Sequence, residues 1–188
     1  RENNMKNNND GIKLYNSLCN IILDNTIANN NNDGISLISS DCNEIIDNYI
    51  SNNDIGVSLF SSNDNNFTYN NITKTDENRY GFYFSDSISY DNSINISNIV
   101  NGLPIRWYTH KTNIVIENIN VSMNGINNIV QIMLYDCHNI TISNSIVQNG
   151  QNGISLFSSS SNIIIGNTIK DNNWNGIRLD ESSDNNLI

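Results

Sequence analysis

Gly34-Ile35-Ser36-Leu37, followed by Asn43-Glu44-Ile45 and then by Asn48-Tyr49-Ile50, is the stretch that decides the fold, because the same order of residue types returns along the chain. Written as G-[IV]-x-L, a short polar turn, N-x-[IVL] and N-x-[IVL] again, the pattern starts in full at Gly11, Gly34, Gly56, Gly153 and Gly176. Weaker copies start at Gly81, Pro104 and Gln131. Successive starts lie 22 to 27 residues apart. A period of that size marks a stacked architecture in which each copy packs on the next. Function is then to be sought where the repeat is broken.

Within a copy the apolar residues fall at the first and third positions after glycine, as in Ile12 and Leu14, Ile35 and Leu37, Val57 and Leu59, Phe82 and Phe84, Ile154 and Leu156, Ile177 and Leu179. Period two means strand. Two further short strands follow, around Ile22 and Ile27 in the first copy and around Ile45 and Ile50 in the second. The reading is all-β, with three short strands per rung and about eight rungs of roughly 23 residues, stacked as parallel sheets about 4.8 Å apart. One β-helix domain is expected over residues 1–188.

Asparagine accounts for the corners. One Asn position is assigned to Asn20, Asn43, Asn65, Asn92, Asn113, Asn139, Asn162 and Asn185, and a second to Asn25, Asn48, Asn70, Asn118, Asn144 and Asn167, with Ser97 as the exception. Amides stacked in register hydrogen-bond along the axis, and Asn tolerates the bent backbone of a corner. These residues are read as structural.

Composition alone would suggest disorder, since only 37% of the 188 residues are hydrophobic. The periodic Ile, Leu, Val and Phe overrule that, because a solenoid needs only a thin apolar column. A formal net charge of −10 argues against nucleic acid as a partner. No apolar run is long enough to span a membrane. The pattern is already running at Asn3-Asn4-Met5 and still running at Asn185-Asn186-Leu187. A segment of a longer protein, joined to neighbouring parts, is therefore expected.

These motifs resemble the right-handed parallel β-helix repeats of the NosD-like, or carbohydrate-binding and sugar-hydrolase (CASH), class. The likeness rests on Gly11-Ile12-Lys13-Leu14 with Asn20-Ile21-Ile22 and Asn25-Thr26-Ile27, and on Gly153-Ile154-Ser155-Leu156 with Asn162-Ile163-Ile164 and Asn167-Thr168-Ile169. It covers nearly the whole chain and implies a right-handed coil. It specifies function weakly, since one scaffold carries many activities.

Between about Tyr80 and His138 the Asn/Ser monotony gives way to other chemistry. Taking Gly81, Pro104 and Gln131 as equivalent starts stacks Tyr83, Arg106 and Met133 on the outer surface, with Tyr108 and Tyr135 aligned two positions later. Tyr83, Arg106, Tyr108 and Tyr135 are the expected carbohydrate-contacting residues, because aromatic faces and a guanidinium suit sugar rings and uronate carboxylates. The structural alternative is an aromatic ladder that stabilises adjacent strands. Phe82, Phe84 and Trp107 are assigned to the interior.

His110, Asp136 and His138 sit in the adjoining turns and are the candidates for catalysis. The Gly-His-Gly and paired-Asp signatures of polygalacturonases are absent. The expected function is a secreted or cell-surface scaffold with a non-catalytic glycan-binding patch. A polysaccharide lyase, epimerase or hydrolase and a purely structural spacer stand as alternatives.

No cofactor is expected. Asp10 with Asp33, and Asp24 with Asp47, share repeat positions on neighbouring rungs and could bridge calcium, although the ligand spacing of a dedicated calcium loop is missing. No metal-binding residues are assigned, and the scattered His, Met and Cys do not support copper. Cys19 and Cys42 also share a position, read as a ladder of unreacted thiols in preference to a disulfide, while Cys137 is left over. Five N-x-[ST] sequons, at Asn66, Asn71, Asn95, Asn120 and Asn139, tilt the expected location towards the extracellular space or cell surface.

Overall fold

The computed structural model describes residues 2–73, 80–122 and 131–188. The chain forms a right-handed parallel β-solenoid of about seven turns with roughly 23-residue spacing. It divides into two compact units, Arg1–Ile105 and Arg106–Ile188.

In unit 1 the first strands of successive turns, Ile12–Tyr15, Asp33–Ile38, Ile55–Phe60 and Tyr80–Phe84, pair in parallel as one sheet. Ile21–Leu23, Glu44–Ile46, Asn66–Thr68 and Ser93–Ile94 make the second sheet. The third runs through Asn4–Lys6, Thr26–Ala28, Tyr49–Ser51, Asn71–Thr73 and Ile99–Val100 to Leu103–Pro104. Register pairs like with like: Leu14, Leu37 and Leu59 in one column, Ile22, Ile45 and Phe67 in another, Ile27, Ile50 and Ile72 in a third. These columns meet as the core, in which Ile35, Leu37, Ile45, Ile50, Leu59, Phe67 and Ile72 have no exposed surface. The repeated glycine is set by crowding. A Cβ on Gly34 would lie 2.6 Å from the Gly56 carbonyl oxygen and 2.6 Å from Ile50 Cγ2.

Polar ladders line the inside of the corners. Backbone N–H groups of Asn20, Asn43 and Asn65 each donate 2.8 Å to the Oδ1 of the next turn's asparagine, ending on Asn92. The same oxygens accept from the preceding Nδ2 at 3.0 to 3.1 Å. A second ladder runs Asn3, Asn25, Asn48, Asn70, Asn98, a third runs Asn8, Asn30, Asn53, and a serine ladder runs Ser17, Ser40, Ser62, Ser89. Asn98, one residue beyond the expected Ser97, carries the second ladder through.

Unit 2 repeats this plan with the sheets Arg106–Thr109, Ile132–Tyr135, Asn152–Phe157, Asn175–Asp180; Val115–Glu117, Thr141–Ser143, Ile163–Ile165; and Asn120–Ser122, Ile146–Gln148, Thr168–Lys170. Its ladders are diluted. Ile140 N–H donates to Asn162 Oδ1 and Asn162 N–H to Asn186, while Ile119 N–H donates to Ser145 and Ser145 N–H to Asn167. Asn113, Asn139, Asn185, Asn118 and Asn144 therefore do not occupy the ladder positions expected of them. Each stands one residue earlier, at left-handed φ between 49° and 57°, where asparagine is among the few non-glycine residues to settle readily. Asn139 is consequently exposed, so its sequon is not shut inside a corner. Cys137 is no leftover: it replaces serine in a ladder, accepting from Lys111 N–H at 3.4 Å while its own N–H donates to Ser159 Oγ at 3.0 Å.

The expected register of the middle copies is overturned at Pro104. Val100 and Leu103 pair antiparallel across Asn101-Gly102, whose φ values are 51° and 83°. Positive φ at both central residues is the two-residue hairpin turn that Asn-Gly favours. Parallel pairing resumes with Arg106 opposite Ile132, so Ile105, not Pro104, is the equivalent of Gln131. A slip of one residue exchanges inside for outside. Trp107 lies in the column of Met133 and Ser155, alternate to Leu134 and Leu156. Trp107, Met133 and Ser155 are all buried, so Trp107 keeps the interior place expected of it in a different column.

Asn48→Ala removes an oxygen that accepts from Asn25 N–H and Nδ2 and an amide that donates to Ile22 and Ile46. The expected loss in chemical denaturation is on the order of 3 kcal/mol, because several buried groups lose partners together. Asp86 gives a pH-dependent counterpart. Desolvation pushes its carboxyl up, but bonds from the Ser89 and Ser61 hydroxyl and N–H groups outweigh it and hold the group below the usual 3.8. A depressed folded value stabilises above the unfolded value and is lost as pH falls through the folded one. Asp86→Asn should therefore lower the melting temperature at pH 7 and make little difference at the acid end of a melting series.

Candidate functional site

Alternation along the first sheet of unit 1 turns Lys13, Ser36, Ser58 and Tyr83 outward, one above another. They line a groove of about 370 Å³ together with Asp10 and Asp33. Asp33 opens its strand. Its Oδ2 accepts from Ser58 Oγ at 2.5 Å, and Ser36 Oγ lies within hydrogen-bond distance of Ser58 Oγ at 3.0 Å. Burial pushes the Asp33 carboxyl above its ordinary value against the bonds from Ser58 and Ser36, and the Asp10 charge adds to the rise. Lys13 Nζ stands 3.5 Å from Asp10 Oδ2. At the other end Tyr83, 40% exposed, meets Tyr80 edge to face with centroids 5.2 Å apart. The groove thus offers an accessible ring, two hydroxyls, a shielded carboxyl and an ammonium.

In unit 2 two corner columns run side by side. His110 and Asp136 share one, both at left-handed φ, with N–H groups bonded to Tyr135 and Phe157 carbonyls. Thr112, His138 and Ser160 share the other through successive parallel bridges. Asp136 lies between two imidazoles: His110 Nδ1 is 2.7 Å from Oδ2 and His138 Nε2 is 3.3 Å from Oδ1. His138 Nδ1 is 2.9 Å from Ser160 Oγ. Tyr135 stacks on Phe157 at 5.7 Å and meets His110 edge to face at 5.9 Å.

The expected catalytic candidates His110, Asp136 and His138 are therefore brought together, whereas Arg106, Tyr108 and Tyr135 do not share one outward column. Tyr83 belongs to the unit 1 groove. Arg106 falls in register with the inward Ile132 and is half-buried, and Tyr108 falls in register with Leu134 and packs against the unit 2 core. Tyr135 pairs with Thr109 and Phe157, not with Tyr108, and Met133 is buried. The one-residue slip at Pro104 is the cause. Sequence reading missed Ser160 and Phe157, each 22 residues after a residue it had singled out, His138 and Tyr135. It also missed the groove partners of Tyr83, which the same period would have supplied.

Residues 1–118 match the model of the family described as periplasmic copper-binding protein (NosD), and residues 105–188 match that of a right-handed β-helix region. The chain belongs to the NosD family. No curated protein and no solved structure matches it.

The family description names copper, which takes imidazole or soft sulfur donors converging on one point. Among the described residues of this NosD-family chain, no three His, Cys, Asp or Glu side chains are grouped to hold a metal. His110 and His138 each direct a ring nitrogen at Asp136, and Cys137 is enclosed in a ladder. These residues do not fit copper.

The three thiols are free, Cys19 and Cys42 exposed at equivalent corners and Cys137 buried, its thiol pushed up by burial. An aromatic disulfide reagent at neutral pH is expected to titrate two thiols of the native chain rapidly and the third only on unfolding. Equal rates for all three would show that the Cys137 ladder does not hold.

Proposed function

We propose that the chain is a periplasmic or cell-surface β-helix scaffold that binds carbohydrate in the unit 1 groove without turning it over. The family description supports a location outside the cytoplasm, and no described helix is long and apolar enough to cross a membrane. The observation that carries the binding reading is the groove itself, where Tyr83 stands in register with Ser58, Ser36 and Lys13 beside the shielded Asp33. An exposed aromatic ring offers a face to the C–H surface of a sugar. The hydroxyls and the Asp33 carboxyl supply hydrogen bonds that water competes for poorly in a partly closed site, and Lys13 suits an acidic sugar.

One observation favours a second reading. Asp33 is a carboxyl with a raised proton affinity next to a second carboxylate, Asp10, the kind of pairing from which glycoside hydrolysis draws its acid and its partner. In that reading Asp33 donates the proton to the leaving oxygen.

A glycan array and a panel of uronate polymers, read for retention and for product, test both. Retention without product is expected, and Tyr83→Ala should weaken it about tenfold, in line with loss of one aromatic contact. Product that disappears in Asp33→Asn would replace binding by hydrolysis. Retention unchanged in both Tyr83→Ala and Lys13→Ala would remove the groove from the account.

A further inference from the structure

The second cluster, in unit 2, is not needed for the groove, and its connectivity points to a different chemistry. From Ser160 Oγ to His138 Nδ1 is 2.9 Å, and from His138 Nε2 to Asp136 Oδ1 is 3.3 Å. A hydroxyl within reach of one imidazole nitrogen, with a carboxylate on the other, is the arrangement that activates a serine nucleophile. The second imidazole fixes the carboxylate: His110 Nδ1 is 2.7 Å from its other oxygen. We propose that Ser160, His138 and Asp136 form a nucleophile, base and orienting acid for hydrolysis of carboxylic esters, with His110 as a positioning residue.

Proton placement follows from the partners. In the proposed arrangement Asp136 accepts from His110 Nδ1, and His138 is the tautomer with its proton on Nε2, 3.3 Å from Asp136 Oδ1, which leaves Nδ1 to accept from the Ser160 hydroxyl. In the first step Ser160 Oγ bonds to the acyl carbon and its proton passes to His138 Nδ1. The ester C–O bond then breaks, and the alcohol leaves with that proton, giving an acyl-serine. In the second step water attacks the acyl carbon, His138 Nδ1 takes its proton and returns it to Ser160 Oγ as the C–O bond to serine breaks. The sum is ester and water to acid and alcohol, with no other reactant.

The location sets the substrate class. His138 and Asp136 keep 42% and 46% of their side-chain surface exposed, so the site takes an ester that reaches it from solvent, with no enclosed pocket among the described residues to bury its acyl or alcohol part. Solvent exposure also limits the base, since water screens the ion pair that orients it.

The backbone reasons for this geometry are separate from the chemistry, which makes the variants interpretable. Ser160 and His138 are joined by parallel bridges in the column of Thr112, and none of the three side chains belongs to the core. Ser160→Ala is therefore expected to melt with the parent.

The test uses the whole 188-residue chain with two probes, a fluorophosphonate that labels activated serines and p-nitrophenyl acetate. Labelling mapped by mass spectrometry to Ser160, lost in His138→Gln, and an acetate cleavage rate reduced about 100-fold in Ser160→Ala would support the assignment, the size expected of a positioned nucleophile and base. His110→Gln should reduce the rate less and leave the labelled residue unchanged. Label spread over surface serines and tyrosines, or cleavage that survives in Ser160→Ala but not in His138→Gln, would overturn it, the latter because a free imidazole would then be the nucleophile. These readouts involve no saccharide, so their outcome is independent of the unit 1 groove.

Discussion

The fold depends on one exchange between neighbouring turns, in which a buried side-chain oxygen of one turn accepts the backbone N–H of the turn before. Asn43 shows the whole arrangement. Its Oδ1 accepts from Asn20 N–H and Nδ2, its own N–H donates to Asn65, and its Nδ2 lies within bonding distance of Ser17 and Asp41 carbonyls. A tight corner interrupts the sheet ladders and would leave those groups unpaired out of reach of water, at a cost of roughly 1–3 kcal/mol each. The asparagine columns close that gap. They also explain how a chain so rich in amides can have an interior, since Asn43, Asn65 and Asn92 are as buried as the isoleucines beside them.

Unit 2 shows which parts of that exchange are indispensable. At the first ladder position it carries Ile140 before Asn162, and in the serine ladder it carries Cys137 before Ser159. The donor N–H keeps an oxygen partner in both cases because the acceptor belongs to the following turn. Ile140 keeps a partner for its own N–H but offers no side-chain acceptor to the turn before, and a thiol serves where a weak acceptor suffices. The ladder has a direction, and its demands fall on the accepting member.

That direction explains why the fold was legible and the middle register was not. Gly34, Ile35, Leu37, Asn43 and Asn48 each occupy a position only a few residue types satisfy, so five full copies gave the period and the three sheets. In unit 2 the identity of the ladder residue changes while an asparagine persists one position earlier, at the left-handed corner, and aligning on asparagine shifts the frame. The Asn101-Gly102 pair has the residue types of a two-residue hairpin turn, but it went unread because the expected period carried the alignment across it. One residue of slip put Arg106 and Tyr108 in register with the inward Ile132 and Leu134 and took Tyr108 out of register with Tyr135.

The chemistry of a solenoid is read across its turns, and this decides how far sequence can find it. His110, Asp136 and His138 were picked out because they are rare residue types in an Asn/Ser coat. Ser160 was invisible, because one serine among many carries no signal until the register places it 2.9 Å from an imidazole. The same holds for Ser58, which only the pairing with Ser36 sets against the Asp33 carboxyl. In such a fold each column supplies one side chain per turn, so a reactive group draws on residues 22 to 26 positions apart, as Asp136 is from His110 and Ser160 from His138, as well as on neighbours within one corner such as Asp136 and His138. A local motif search therefore fails on a scaffold of this kind for a physical reason. The neighbours that matter are set by the rise between strands, and any change in turn length between them, such as the hairpin before Arg106, rewrites which side chains can meet.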